Sequence, residues 1–219
     1  MATDILYFDS ATGNYISGQY KITPDFQDFT FMRRQVYGIT KTKNTVYVVT
    51  HRGVSSTPES RTITLTTPGA GQVKGITNDR RYLIGLYQFT APGVDSFVKW
   101  DFRGDIVSVV PNREGIDKRY EFLCFFRRYF YTLVTNSAPN EVHCYDPYTG
   151  ELIYTFPVSV SKITGGITSD RHGLWIIDIE NGFTLNYSAT GELLKKIASS
   201  GKPEMGIAFN GRYKMIGVT

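Results

Sequence analysis

The chain has 219 residues, of which 41% are hydrophobic and 20% are charged, and its formal net charge is +4. This composition is typical of a folded globular protein and excludes a largely disordered one. It contains no apolar run of about 18 residues, so we expect no membrane insertion. The two cysteines exclude a disulfide framework, and the mild positive charge does not require a nucleic-acid partner.

The N-terminal residues 1–4 lack a basic stretch followed by apolar residues, so the sequence predicts no secretory signal. We therefore expect a cytoplasmic protein or, if the source is a virus, a virion component. The first predicted elements are two strands, Ile5–Phe8 and Tyr15–Ile22. They read as the third and fourth strands of a repeat unit whose first two strands lie at the other end of the chain.

A short motif recurs roughly every 40 residues, which is the length of a β-propeller blade. Its five copies begin at Gly38, Gly75, Phe122, Gly166 and Gly206, and the copy at Phe122 is degenerate. We interpret each copy as the start of the first strand of a blade. A polar turn and a second apolar strand follow each copy, and no segment shows the periodicity of a helix.

A second motif follows each anchor by about 30 residues and combines an aromatic residue, Asp or Ser, and a turn Gly. It occurs at Phe8–Gly13, Trp100–Gly104, Tyr145–Gly150 and Tyr187–Gly191, whereas the unit after Gly38 lacks it. The Gly suits a position with positive φ in a turn between the third and fourth strands.

Together, the motifs predict an all-β fold, a five-bladed β-propeller with four-stranded antiparallel blades, in a single domain over residues 1–219. We expect the N-terminal strands to pair with the C-terminal strands and thereby to close the ring, which leaves no open edge. An open solenoid and a pair of β-sandwiches are the alternatives.

The segment from Gly166 to Asp178 resembles the NHL and YVTN type of propeller repeat, which reads Gly-Ile-Ala-x-Asp, a turn, and an aromatic-aliphatic strand ending in Asp. The segment from Tyr145 to Leu152 is similar to the third and fourth strands of that repeat. The resemblance implies a propeller whose relatives mostly bind proteins, nucleic acids or glycans, and of which a minority are enzymes. Five units are fewer than usual for that family, and the anchor at Phe122 lacks its Gly.

Basic residues occupy the predicted turn between the first and second strands of every unit. They are Lys43, Arg80, Arg81, Arg127, Arg128, Arg171 and Arg212. As a ring on one face, these side chains would form a polyanion-binding surface. The turns between the third and fourth strands lie on the same face and carry acids, among them Asp101 and Asp146, so we favour the interpretation that arginines and carboxylates form structural pairs there.

Longer and more irregular loops are predicted on the opposite face, including Thr23–Gln35 and His51–Ser60. Variable loops on a rigid scaffold are where binding usually resides. The candidate partner-binding residues on this face are Phe26, Phe29, Phe31, Arg33, Arg34, His51 and Arg52. Aromatic residues with mixed charges suit a protein or glycan partner better than a nucleic-acid backbone.

The sequence gives little support for a catalytic function. Its three histidines fall in different units and none has metal-ligand spacing. Asp79 and Asp170 are interpreted as turn caps, and Cys124 and Cys144 as buried free thiols. The sequence therefore predicts no catalytic residue, no metal and no cofactor. The predicted function is a non-enzymatic protein-interaction module or assembly subunit that presents the loop-rich face, with a multivalent glycan-binding lectin and a polyanion or nucleic-acid binder as alternatives.

Overall fold

The computed structural model describes eleven segments of the chain: residues 3–9, 15–22, 26–33, 35–40, 43–50, 59–90, 94–113, 120–161, 164–198, 204–209 and 213–218. Within these segments every regular element is a β-strand. None of the described residues belongs to a helix long and apolar enough to span a membrane.

The strands form an all-β propeller with four-stranded antiparallel blades, as the sequence predicts. The first blade comprises β3 (Asp28–Met32), β4 (Gln35–Thr40), β5 (Lys43–Thr50) and β6 (Glu59–Thr64). The second comprises β7 (Gly71–Asn78), β8 (Leu83–Phe89), β9 (Ser96–Trp100) and β10 (Ile106–Pro111). The third comprises β11 (Tyr120–Phe126), β12 (Tyr129–Val134), β13 (Glu141–Tyr145) and β14 (Leu152–Pro157). The fourth comprises β15 (Thr164–Ser169), β16 (Leu174–Asp178), β17 (Phe183–Tyr187) and β18 (Leu193–Ala198).

A further four-stranded sheet, which we call the shared sheet, joins segments from the two ends of the sequence. It comprises β19 (Glu204–Phe209), β20 (Tyr213–Val218), β1 (Thr3–Asp9) and β2 (Tyr15–Ile22), in that spatial order. Strand β1 pairs antiparallel with β20, from Asp4 opposite Val218 to Asp9 opposite Tyr213. This pairing is the one expected from the positions of the sequence motifs.

Burial differs between the inner and the outer strands of a blade. In β8, all residues from Leu83 to Tyr87 are buried, since this strand lies inside a blade that is covered on both faces. The outer strand β10 instead alternates, with Val107 and Val109 exposed and Ile106 half-buried. This alternation is typical of an edge strand with one face in water.

The first strands of neighbouring blades run parallel and are joined by hydrogen bonds that side-chain oxygens accept. Asp28 Oδ2 accepts a hydrogen bond from the Ile76 N–H, and Thr30 Oγ1 accepts one from Asn78 Nδ2, at 2.9 and 2.7 Å. One blade on, Thr77 Oγ1 accepts a hydrogen bond from the Phe125 N–H at 3.1 Å. Residue numbers rise together on the two sides, so the turns that follow these strands lie at the same end of the molecule.

Apolar clusters fill the gaps between sheets. Phe97 of the second blade packs against Phe130 and Tyr145 of the third, with ring centroids 4.9 and 5.2 Å apart. In another cluster, Ala208 of the shared sheet lies with Phe26 and Phe29 of the first blade. The interblade packing, with its large aromatic side chains, therefore supplies the hydrophobic core.

The first blade corrects the predicted strand register. Gly38 lies in β4, the second strand of its blade, whereas the anchors Gly75, Phe122, Gly166 and Gly206 lie in first strands as predicted. The true first strand is β3, inside the segment that was predicted to be an irregular loop. The two glycines serve different purposes. A Cβ on Gly38 would meet the Phe26 ring at 2.5 Å, whereas a Cβ on Gly75 would meet the backbone of β11 at 2.5 Å.

With this register, Lys43 and the segment 51–58 occupy other connections of the blade than those predicted. Strand β5 begins at Lys43, so Lys43 lies at the connection between the second and third strands and not in the first turn of the blade. The segment 51–58, with His51 and Arg52, connects β5 to β6, the third and fourth strands. His51 and Arg52 themselves lie outside the described residues.

Candidate functional site

The aromatic residues predicted to bind a partner are part of the core. Phe26 and Phe29 are 0% and 1% exposed, and Phe31 is half-buried. The prediction that Phe26 and Phe29 form a binding surface is therefore wrong. The reason is that β3 is an inner strand, whose side chains face neighbouring sheets and not solvent.

Exposed arginines line the turns between the first and second strands of the blades. In the described residues these are Arg33, Arg80, Arg81, Arg127, Arg128 and Arg171, which we call the arginine rim. Arg33 was predicted on the opposite face, and its true place could have been found from the sequence, because the pairs that begin at Arg33, Arg80 and Arg127 are equally spaced. Arg34 and Arg212 lie outside the described residues.

Several of these arginines occupy backbone conformations that favour other residues. Phe126 pairs with Tyr129 across a two-residue turn in which Arg127 and Arg128 have φ values of 47° and 77°. Positive φ at both central positions is the signature of a type I′ turn, where Asn-Gly is preferred. Arg33 and Arg80 also have positive φ, 51° and 73°. A non-glycine residue in this conformation costs about 1 kcal/mol, so these turns are strained.

The predicted pairing of these arginines with carboxylates is wrong for the described part of the chain. Among the described residues, no carboxylate oxygen lies within 4 Å of a guanidinium nitrogen of the arginine rim. The guanidinium groups of Arg80, Arg81 and Arg128 also have no hydrogen-bonding or aromatic partner within the segments described. Their positive charge is therefore available to a ligand.

The neighbouring acids are engaged by their own turns. Asp101 Oδ1 accepts hydrogen bonds from three consecutive backbone N–H groups, beginning at Arg103. Asp146 Oδ1 accepts hydrogen bonds from the N–H groups of Tyr148 and Thr149, at 2.8 and 2.9 Å. Asp79 Oδ1 accepts from Arg81 and Tyr82, and Asp170 Oδ1 from His172 and Gly173, so both cap their turns as predicted.

These backbone hydrogen bonds also change the acidity of the caps. The bond from the Arg103 N–H, and then that from Asp105, lower the pKa of Asp101 below its usual value. The bonds from Thr149 and Tyr148 likewise lower the pKa of Asp146. Both carboxylates are charged at neutral pH, and the Oδ1 atom of each is directed at the backbone of its own turn.

The remaining members of the arginine rim contact rings nearby. The Arg33 guanidinium lies 4.8 Å from the centre of the Phe102 ring, and that of Arg127 lies 5.1 Å from the Phe126 ring. Arg171 Nε donates a hydrogen bond to His172 Nε2 at 2.7 Å. Such cation–π contacts hold a guanidinium in place without neutralising its charge.

Exposed tyrosines stand beside the same turns. Tyr129, which directly follows Arg128, is 38% exposed, and Tyr148 in the last turn of the third blade is 80% exposed. The Lys99 ammonium lies 5.6 Å from the centre of the Tyr148 ring. Arginine and tyrosine together are the residue types enriched at protein interfaces.

One buried polar cluster was missed by the sequence analysis. His143 is 1% exposed, and its Nε2 and Nδ1 lie 3.0 Å from Glu141 Oε2 and 3.2 Å from the Tyr145 hydroxyl. The three residues alternate along β13 and therefore share one face of the blade, which the alternation could have indicated. Cys124 and Cys144 are buried free thiols, as predicted. Within the described residues no group of three His, Cys, Asp or Glu side chains could hold a metal ion.

No protein-family model and no curated protein sequence matches the chain. The fold is similar to that of glutaminyl cyclase from Myxococcus xanthus, with a TM-score of 0.62 at 13% identity over 89% of each chain. It is also similar to a catalytically inactive virginiamycin B lyase from Staphylococcus aureus, with a TM-score of 0.52 at 14% identity over 97% of this chain and 70% of the lyase. A chain of the COPII outer coat vertex has a TM-score of 0.53 at 10% identity over 92% of this chain and 71% of its own. At such identities these similarities establish the propeller fold alone.

Proposed function

We propose that this protein is a non-enzymatic interaction module that binds an acidic protein segment through the arginine rim. In this proposal the shared sheet is the fifth blade of a closed ring, and the NHL-type repeat describes its ancestry. The propeller fold fits a protein-interaction module, and a chain of an assembled coat is among its structural neighbours. The cytoplasmic or virion location and the glycan-binding alternative stay predictions from the sequence.

The observation that carries the proposal is the free charge of the rim. Exposed arginines recur in the equivalent turn of four consecutive blades, and no described carboxylate pairs with them. A purely structural surface would gain from neutralising these charges, because like charges on one face repel one another. An acidic ligand would supply the missing counter-charges.

Backbone strain in the turns supports the same conclusion. Arg127 and Arg128 hold positions where Asn-Gly would be more stable, and Arg33 and Arg80 adopt similarly unfavourable φ values. Strained backbone tends to cluster at functional sites, where a specific side chain is needed despite its cost to stability. In these turns the needed side chain is a guanidinium directed at solvent.

A protein partner suits this surface better than a nucleic acid does. The net charge of the whole chain is +4, and the ionised carboxylates of Asp101 and Asp146 lie at the same end of the blades as the arginines. A polyphosphate backbone would meet these acids along its length, whereas a short acidic segment can align with the arginines alone. The exposed rings of Tyr129 and Tyr148 would contact the apolar residues of such a segment.

The test is the binding of a fluorescent Glu-rich peptide, measured by anisotropy. The variant Arg127→Gln with Arg128→Gln should weaken binding by about thirtyfold, since each of the two charge-assisted contacts contributes about 1 kcal/mol at an exposed site. The matched control is Lys195→Gln with Lys196→Gln, which removes two adjacent charges from the outer strand β18. We expect the control to bind within twofold of the unmodified protein.

Equal weakening by both double variants would reduce the interaction to general charge attraction and contradict the proposal. Heparin and a single-stranded oligonucleotide serve as competitors in the same assay. Displacement of the peptide by the oligonucleotide at lower concentration than by unlabelled peptide would favour the nucleic-acid alternative. Raising the salt concentration should weaken specific binding progressively, because exposed charges are screened.

A further inference from the structure

The first strands of the blades end side by side, directly below the arginine rim. Asn78 Nδ2 donates a hydrogen bond to the Phe31 carbonyl oxygen at 3.2 Å, which joins the first and second blades. Ser169 Oγ donates one to the Phe125 carbonyl oxygen at 3.3 Å, which joins the third and fourth blades. The bond between Thr77 Oγ1 and the Phe125 N–H joins the second and third. One short side chain therefore spans the distance between neighbouring strand ends.

The rim arginines follow these strand ends by two residues each. The corresponding pairs are Phe31 and Arg33, Asn78 and Arg80, Phe125 and Arg127, and Ser169 and Arg171. An arginine side chain is longer than the Asn, Thr or Ser side chain that bridges two strands. Guanidinium groups from two neighbouring blades can therefore reach the same small ligand.

The second and third blades each carry two adjacent arginines in the turn between their first and second strands. Arg80 and Arg81 belong to one turn, Arg127 and Arg128 to the other, and all four are exposed. The backbone of the first turn is held by Asn78, whose Oδ1 accepts a hydrogen bond from the Arg80 N–H at 3.1 Å. The second is a two-residue turn closed by the pairing of β11 with β12. Four guanidinium groups thus extend from two fixed turns on either side of one blade boundary.

The acid closest in sequence to these arginines does not neutralise them. Asp79 Oδ2 lies 3.8 Å from Lys99 Nζ, and Asp79 Oδ1 caps its own turn. The charge of Asp79 is therefore already met by a lysine. An anion at the boundary of the second and third blades is attracted by both arginine pairs, because in the described part of the chain no carboxylate lies within ion-pairing distance of them.

The number of available donors favours a phosphate over a carboxylate. A carboxylate carries one charge on two oxygens, which a single guanidinium satisfies in a bidentate pair. A phosphomonoester carries a charge of about −1.5 to −2 at pH 7 and three acceptor oxygens on one phosphorus. It can therefore accept hydrogen bonds from the guanidinium groups of both turns at once. Unlike a nucleic-acid backbone, it also concentrates its charge at one point, away from the capping acids of the outer turns.

We propose that the boundary between the second and third blades binds a phosphorylated serine or threonine of the acidic segment. Arg80 and Arg81 hold the phosphate from one side, and Arg127 and Arg128 hold it from the other. The acidic residues that flank the phosphate lie along the remaining arginines of the rim. This inference rests on the proposed function, and it specifies the modified residue by which the partner is recognised.

The test is the binding of three fluorescent peptides to the full chain, measured by anisotropy. The peptides share the same acidic flanks and differ at two adjacent positions, which read phosphoserine-Ala, Glu-Glu or Ser-Ala. The first two peptides carry nearly the same net charge. We expect the phosphoserine peptide to bind about tenfold more tightly than the Glu-Glu peptide, which corresponds to about 1.4 kcal/mol, and the Ser-Ala peptide to bind most weakly.

One variant in each turn tests whether both blades contact the phosphate. Arg80→Gln and Arg128→Gln should each lower the ratio of the phosphoserine affinity to the Glu-Glu affinity by about threefold, since each removes one charge-assisted contact. Arg61→Gln is the matched control, because it removes an exposed arginine from the outer strand β6 and should leave the ratio unchanged. Thermal melts of all three variants check that the fold is retained.

The outcomes separate this inference from the proposed function. A preference for phosphoserine that falls in both single variants supports the inference. Equal affinity for the phosphoserine and Glu-Glu peptides overturns it, and the proposed function then stands if Arg127→Gln with Arg128→Gln weakens the binding of both peptides. An unchanged ratio in either single variant shows that one turn does not contact the phosphate and also overturns the inference. Failure of all three peptides to bind contradicts the proposed function and this inference together.

Discussion

Each blade has two turns at the same end, and the two kinds of turn use their residues differently. The turn between the third and fourth strands directs its polar groups inward: Asp146 caps the backbone, and Gly150 with φ of 70° lies against the Pro111 carbonyl oxygen of the preceding blade. The turn between the first and second strands does the opposite. Arg127 and Arg128 strain the backbone and extend into solvent.

The turn glycines hold the propeller together, whereas the fold does not need the arginines of the rim. Gly104 and Gly191 repeat the role of Gly150, since each has positive φ and touches the outer strand of the blade before it. Arginines recur in the equivalent turn of four blades, and at Arg127 and Arg128 stability does not account for them, because Asn-Gly would suit that type I′ turn better. Repetition of a feature that costs stability is therefore an argument for binding.

The largest expected effect comes from Gly150. Its replacement in Gly150→Ala combines an unfavourable φ with a clash between the new Cβ and Pro111 O, and should lower the free energy of unfolding by about 3 kcal/mol. Gly182→Ala is the matched control, because its φ of 68° is nearly the same while no atom lies within 4 Å of the new Cβ. We expect a loss of about 1 kcal/mol there. Urea unfolding monitored by Trp fluorescence measures both, and equal losses would contradict a packing role for the turn.

An intermediate effect of opposite sign is expected in the arginine rim. Arg127→Asn with Arg128→Gly should raise the free energy of unfolding by about 1 kcal/mol, since both positions have positive φ, and should weaken binding of the acidic peptide. The double glutamine variant removes the same charges without relieving the backbone. It should therefore change stability by less than about 0.5 kcal/mol. A stability loss in the Asn-Gly variant would mean that the native contacts of these arginines, such as that of Arg127 with the Phe126 ring, outweigh the backbone strain.

The four-stranded blades could be predicted from the sequence because the same backbone geometry recurs from blade to blade. It requires a small residue at most of the anchors and a positive φ at the turn glycines. The first blade could not be placed by its Gly-Ile-Thr motif. At Gly38 a side chain would clash with the Phe26 ring, whereas at Gly75 a side chain would clash with the backbone of β11. A three-residue motif does not distinguish these two causes. The equal spacing of Arg33, Arg80 and Arg127 indicates the correct register. These arginines mark the turn between the first and second strands, and their positions do not depend on a packing contact.

The exposure of the arginine rim could also be predicted, but its pairing could not. Opposite charges on neighbouring turns suggested ion pairs, whereas Asp101 and Asp146 bind N–H groups two to four residues away. Such a local hydrogen bond requires little ordering of side chains, while an exposed ion pair must order two long ones for about 0–1 kcal/mol. Net charge and composition do not reveal whether a carboxylate accepts a local backbone hydrogen bond or forms an ion pair.

The smallest expected effect concerns the capping acids and depends on pH. Because backbone hydrogen bonds lower the pKa of Asp146, its charge contributes stability above the unfolded pKa of about 3.9, and this contribution is lost as the pH falls through the folded value. In Asp146→Asn the amide oxygen still accepts hydrogen bonds, so the loss at neutral pH should be below about 1 kcal/mol and should be smaller at about pH 3, below the unfolded pKa. Ser188 caps the equivalent turn of the fourth blade through its hydroxyl, which does not titrate, so the loss in Ser188→Ala should be the same at both pH values. A loss in Asp146→Asn that persists unchanged into acid would show that the charge of this cap does not stabilise its turn.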